Sequence, residues 1–257
     1  MKKETIKARR KLPQNRGFRL FFGIFAMCAW VFAAVVASQL LVGWPMSRIL
    51  GAEKFNEPVW TAIYSALSYG LALAITILIP MKLFKKWRVT REDLGLKGLP
   101  TWTDIGLGVA GFIAATLIAA GVSAIFTLFP WFDAEQAQDV GFNLMVSGGD
   151  RIIAFLTLVV LAPIMEEIIF RGWLYGLMRK ETSAVLTNIA SMILSSLIVS
   201  LLFGLVHFQW NVGVNVFALS LILCALREIT GTIYAGILVH VIKNGVAFWL
   251  LYVVGMV

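Results

Sequence analysis

Apolar and polar positions fall along this chain in long blocks, without the alternation that a half-buried strand requires. Apolar blocks lie at about residues 20–44, 59–81, 105–129, 152–178, 186–206, 212–226 and 232–257, separated by short polar or charged segments. About 20 apolar residues are what a helix needs to cross the hydrocarbon core of a bilayer. The strands of a membrane barrel would instead run about 10 residues and alternate in polarity. The pattern predicts an all-α protein, a polytopic transmembrane bundle of about seven helices. The sixth block is the weakest: about 15 residues rise only about 23 Å against a core of roughly 30 Å. Three regions are expected: a basic tail over 1–19, three helices with their loops over 20–150, and a four-helix core over 151–257.

Charge then orients the bundle. Residues 1–19 hold eight basic residues and one acid, Glu4, so this end is expected in the cytoplasm. The apolar block after it is long for a signal peptide and shows no small-residue cleavage pattern, so it reads as an uncleaved first helix. Lys82, Lys85, Lys86, Arg88 and Arg91 mark the loop after the second helix as cytoplasmic. The connection carrying Asp133, Glu135, Asp139 and Asp150 marks the loop after the third as external. Seven helices place 17 of the 22 basic residues in cytoplasmic segments and three outside, Arg48, Lys54 and Arg151. The net charge of +8 is thus a topology signal, and no nucleic-acid partner is implied. A chain that is 60% hydrophobic with mean hydropathy +0.86 has no room for a separate soluble domain. Cys28 and Cys224 both fall within predicted helices, so no disulfide framework is implied.

Against this background the polar residues inside the blocks carry information. Glu166, Glu167 and Arg171 interrupt the fourth block, and charges at such depth cost a few kcal/mol each on insertion scales. Glu167 and Arg171 are four apart on one helix face, with the acid N-terminal, and can pair. Glu166 points about 100° away and must find another partner. Only two histidines occur, His207 and His240, each in or beside a predicted helix. Phe203 lies four residues before His207 and Asn244 four after His240, so each pair shares a face. Glu166 lies 13 residues before Arg179 and His240 lies 13 after Arg227, which places both about 20 Å from the cytoplasmic edge. Taken singly, each of these residues reads as packing or interhelical glue. Together they place acid, base and amide groups on three helices of one core.

Glu-Glu-x-x-x-Arg at 166–171, Phe-x-x-x-His at 203–207 and His-x-x-x-Asn at 240–244, in that order, resemble the three motifs of the CAAX-protease and bacteriocin-processing (Abi) family of intramembrane proteases. The resemblance covers roughly the last hundred residues, with a fainter echo in Glu92-Asp93-Leu94-Gly95-Leu96. It implies hydrolysis of a peptide bond in a cavity within the membrane, on a membrane-embedded or lipid-anchored peptide. Carried over to these positions, Glu166 would be the general base with His207 as its partner. His240 and Asn244 would be donors to the developing oxyanion. Glu167 and Arg171 would form a structural pair that orients Glu166.

Members of this family are often labelled metalloproteases. His-Glu-x-x-His is absent, although a zinc site from Glu166, His207 and His240 is chemically possible. The expectation is a metal-free mechanism without a cofactor. Lys243 departs from the family pattern, standing where an apolar residue is usual, and could snorkel, pair with Glu166 or bind a substrate carboxylate. Two other readings use the same residues: a non-catalytic membrane protein of the bacteriocin-immunity type, and a proton-coupled transporter. The latter usually carries repeated halves, which are not visible here. A multi-pass protein of a bacterial-type plasma membrane, with its N-terminus cytoplasmic, is the expected location.

Overall fold

The computed structural model describes residues 16–133, 140, 142 and 147–255. The first 15 residues of the basic tail, Glu135 and Asp139 of the acidic connection, and the last two residues of the seventh block lie outside the described residues. Within them the protein is all-helical, with seven helices long and apolar enough to cross a membrane: α1 Arg16–Phe55, α2 Pro58–Lys82, α3 Trp102–Phe126, α4 Gly148–Ser183, α5 Asn188–Leu205, α6 Trp210–Thr230 and α7 Tyr234–Val254. This is a multi-pass membrane protein. Its α1 and α3 show why: Phe18, Phe21, Phe25, Leu40, Ile105, Val109, Ile113 and Leu117 are all exposed, a surface that only lipid covers favourably.

Several bounds differ from the apolar blocks, for local reasons. α6 has 21 residues, not about 15, because Trp210, Asn211 and the polar turn to Thr230 join the helix. It therefore rises about 31 Å and spans without difficulty. It stops at Gly231, whose φ of +69° is the left-handed conformation that ends a helix. α3 begins three residues earlier than its apolar block, at a capping box in which Thr101 and Asp104 exchange hydrogen bonds. An identical box of Ser147 and Asp150 starts α4.

Two prolines set the shape of the elements around the site. In α2 a π turn covers Ala74–Leu78, and the carbonyl of Ile75 would be bonded in that register by residue 80, which is Pro80 and has no N–H. The Trp30 indole donates to Ile75 O instead, at 3.2 Å, tying α1 to α2. α4 repeats the device: its π turn covers Leu156–Leu161, and residue 163, the π-register partner of Leu158, is Pro163. The Asn244 side chain donates to Leu158 O at 2.9 Å, tying α7 to α4. Each tie satisfies a carbonyl that would otherwise be stranded in apolar surroundings.

α4 is the hub, packed against α1, α2, α5, α6 and α7. Its segment from Ile169 to Met178 contributes the centre of the largest apolar cluster, with Trp173, Leu174 and Met178 fully buried among Met27, Val31, Val199, Phe203 and Cys224. A second cluster joins α3, α6 and α7 through Ala115, Leu219, Leu223, Leu226, Ala235 and Val239. α5 and α6 meet backbone to backbone where Gly204 faces Gly213: a Cβ at Gly204 would lie 2.7 Å from Gly213 O. The segment 90–96, the faint echo seen in the sequence, docks on the same hub. Asp93 O and Leu94 O sit where a Cβ on Gly176 or Gly172 would be 3.0 Å away. Arg227 donates to Asp93 O, and Ile233 N–H donates to Gly95 O. Hydrogen bonds from the backbone N–H and hydroxyl of Thr90 hold the Asp93 carboxyl below the usual carboxylate range.

Candidate active site

The site is built around the middle of α4. Glu167 and Arg171 pair at 2.8 Å with both side chains fully buried, as their spacing predicts. The Arg171 guanidinium also lies over the Phe203 ring, 4.3 Å from its centroid, which gives the cation an electron-rich face in place of water. His240, from α7, reaches the same carboxylate: its Nδ1 is 3.1 Å from Glu167 Oε1. A carboxylate held by a guanidinium accepts hydrogen bonds, so the Nδ1 of His240 carries a proton and donates. The ring orientation that this bond fixes turns Nε2 toward Glu166, whose Oε2 is 3.7 Å away. Arg171, Glu167, His240 and Glu166 thus form one line of charged and polar groups from the protein core outward. Gly236, one turn before His240, lets α7 approach, since a Cβ there would be 3.1 Å from Glu167 Oε2.

Glu166 ends this line at the wall of a cavity of about 440 Å³. The lining includes Tyr64, Ser65, Ser68 and Tyr69 of α2, Ser38 and Gln39 of α1, Thr157 and Glu166 of α4, and His207. His207 follows the end of α5, where its Nδ1 donates to Phe203 O at 2.7 Å, so the expected sharing of a helix face by Phe203 and His207 holds. Phe203 explains its own motif position. Its ring packs edge-on to His207 at 4.9 Å, to His240 at 5.9 Å and to Phe170 at 4.9 Å, while Arg171 covers it. One aromatic ring thereby sets the places of both histidines and the buried cation.

The structure therefore brings Glu166, Glu167, Arg171, His207 and His240 together. Glu166 and His207 share the cavity wall, but no hydrogen bond joins them among the described contacts. Asn244 stands apart from the lining, because its amide is engaged by Leu158. Lys243 is half-buried and makes no hydrogen bond to Glu166 or His207 among the described contacts.

One contact was not anticipated from the sequence. The Tyr69 hydroxyl donates to Glu166 Oε1 at 2.7 Å across 97 residues of chain. The available signal was a run of hydroxyls, Thr61, Tyr64, Ser65, Ser68 and Tyr69, inside an otherwise apolar second helix. Among the described residues no three His, Cys, Asp or Glu side chains converge as a metal-binding group. Each histidine commits its Nδ1 to a protein oxygen, which leaves Nε2 as the nitrogen a zinc ion would use, and of the three candidates only Glu166 and His207 line the cavity.

The structure is thus a multi-pass helical bundle that gathers two glutamates, an arginine and two histidines, with Glu166 and His207 on a polar cavity. Residues 148–246 match the model of a particular family, described as type II CAAX prenyl endopeptidase Rce1-like. The match covers α4 to most of α7, and it is the CAAX-protease family that the three motifs resemble. No curated protein and no solved structure matches the chain.

Proposed function

We propose that this protein is an intramembrane endopeptidase that hydrolyses a peptide bond of a membrane-embedded or lipid-anchored peptide. The observation that carries the reading is the placement of Glu166 at the end of the buried Arg171–Glu167–His240 line with its carboxylate on the cavity. In this reading Glu166 takes a proton from a water in the cavity, and His207, which lines the same cavity, polarises that water. The oxygen of that water bonds to the scissile carbonyl carbon, the C–N bond breaks, and the proton passes from Glu166 to the departing amine. His240, donating Nδ1–H to Glu167 and protonated on Nε2 as well, donates from Nε2 to the negative charge that develops beside Glu166. Asn244 acts through α7, holding His240 at its depth by the bond to Leu158. The chemistry uses protein groups alone.

The substrate enters, in this proposal, from the face opposite the basic loops. Phe55 at the end of α1, Asn56 in the α1–α2 connection, Val140 in the α3–α4 connection and Phe208 in the α5–α6 connection lie on the cavity lining, at one end of the bundle. Lys82, Arg179, Lys180 and Arg227 lie at the other, which the excess of basic residues makes cytoplasmic. Among the described residues Glu166 and His207 are the one carboxylate and the one imidazole in the lining, so the cavity suits an uncharged stretch of peptide.

The test is cleavage in detergent of two quenched fluorogenic peptides, one ending in a farnesylated Cys-aliphatic-aliphatic-X tail and one containing an apolar spanning segment. Wild type is expected to cleave at least one, with activity that survives chelators. Glu166→Gln, which keeps shape but cannot take the proton, is expected to lose activity by at least about a hundredfold while remaining folded. Normal turnover by that variant would end the assignment. A second reading, a membrane binding protein without catalysis, draws on Lys243, a half-buried lysine inside the third motif where an apolar residue is usual. Under it, wild type cleaves neither peptide and Lys243→Leu does not restore cleavage.

A further inference from the structure

Tyr69 reaches Glu166 from α2, outside the segment that matches the family model. Its direction follows from its helix. Tyr69, Ala72 and Thr76 lie on one face, and Ala72 and Thr76 are buried. The indole of Trp30, bonded to Ile75 O in the π turn just beyond, holds that face in register. A phenylalanine at position 69 would fill nearly the same space, so what the hydroxyl adds is the bond to the carboxylate. At 2.7 Å it has the usual length of an O–H···O hydrogen bond, and with the carboxylate ionised it is stronger than one between neutral groups. The last torsion of a glutamate is broad and two-fold, and nothing in its own helix decides which oxygen faces where. Around Glu166 the groups that bear on it are Tyr69 from α2, His240 and Lys243 from α7, His207 after α5, and on α4 itself its neighbour Glu167, which Arg171 pairs.

We propose that Tyr69 is a positioning residue for Glu166, its hydroxyl fixing Oε1 so that Oε2 is the oxygen presented to His240 and to the water that loses its proton. The inference rests on reading Glu166 as the general base. It makes α2 part of the working site, and it assigns the N-terminal helices a role beyond enclosing the cavity. The hydroxyl is placed to affect the rate of the proton-transfer step more than substrate binding, because it contacts the base and leaves the rest of the wall unchanged.

Two measurements on the full chain in detergent test it. Tyr69→Phe is expected to lower kcat on the cleaved fluorogenic peptide by about tenfold, with KM within about twofold and thermal stability close to wild type. An unchanged kcat, or a fall in activity that tracks lost folded protein alone, would overturn the proposal. The second measurement needs no substrate. With 3-fluorotyrosine placed at position 69, the fluorine resonance is expected to move when Glu166→Gln removes the charge, and to stay put when Asp93→Asn changes a distant carboxylate. A resonance that ignores Glu166→Gln would overturn the proposal even if Tyr69→Phe fails to fold. If wild type cleaves neither peptide, the protease reading fails, while the fluorine result still decides whether Tyr69 holds the carboxylate.

Discussion

At the scale of single residues, the site depends on groups whose partners cannot be removed one at a time. Glu167 and Arg171 are both fully buried, so truncating either leaves a charge without its counter-ion where water is scarce. Arg171→Ala and Glu167→Ala are each expected to lose about 3–5 kcal/mol of stability. Thermal melts in detergent at the wild-type midpoint for both variants would refute the pairing. Asn244 makes a different prediction, because its partner is a carbonyl left open by a proline. Asn244→Ala strands Leu158 O and is expected to cost about 1–3 kcal/mol. In a Pro163→Ala background, residue 163 regains an N–H that can bond within α4, and the cost of Asn244→Ala should shrink by more than half. An equal cost in both backgrounds would show that Asn244 contributes in some other way.

Elements are held in place by the same logic of close approach and satisfied backbone. Two of the four π segments among the described residues, Ala74–Leu78 in α2 and Leu156–Leu161 in α4, each place a proline five residues after a carbonyl and let a side chain from another helix take the vacant bond, Trp30 for α2 and Asn244 for α4. The consequence is that α1 with α2, and α7 with α4, are fixed at the depth of the site. The α5–α6 pair is fixed by small residues instead. Gly204→Ala would drive a Cβ to 2.7 Å from the backbone of Gly213, and no flexible side chain can yield there. About 1–3 kcal/mol of overpacking cost is expected, with His207 displaced because it follows Gly204 by three residues. The measurable result is a lower melting temperature together with reduced peptide cleavage. A variant as stable and active as wild type would mean that the two helices separate freely.

For the whole molecule, the arrangement of loops makes an access prediction. Asn56 lies on the cavity lining at one end, and Lys180 lies with the basic residues at the other. In right-side-out vesicles, Asn56→Cys is expected to react with a membrane-impermeant maleimide added outside, and Lys180→Cys only after the membrane is opened. The background thiols are Cys28, which is half-buried, and the buried Cys224, and replacing both with Ser or Ala leaves the readout clean. Labelling in the reverse sense would invert the topology and place the cavity mouth in the cytoplasm.

The class of fold, and the residues that are candidates for the site, are legible in the order of residues alone. Seven apolar blocks sufficed for seven spanning helices, because a bilayer imposes one length scale on every crossing. The spacing of Glu167 and Arg171 sufficed for their pair, because both lie on one helix and its periodicity is known. Other relations depended on how separate helices meet. That His240 stands between the two glutamates, that Phe203 carries Arg171 on its face and both histidines at its edge, and that Asn244 turns to Leu158 instead of the cavity all follow from the crossing of α4, α5 and α7. Tyr69 is the clearest case. Its hydroxyl meets Glu166 only because α2 packs against α4 with a particular rotation, and that rotation is set by buried contacts and a π turn spread over three helices. Periodicity places residues on a face; only packing between helices decides which faces meet, and with them which oxygen of Glu166 is held and which is turned to His240.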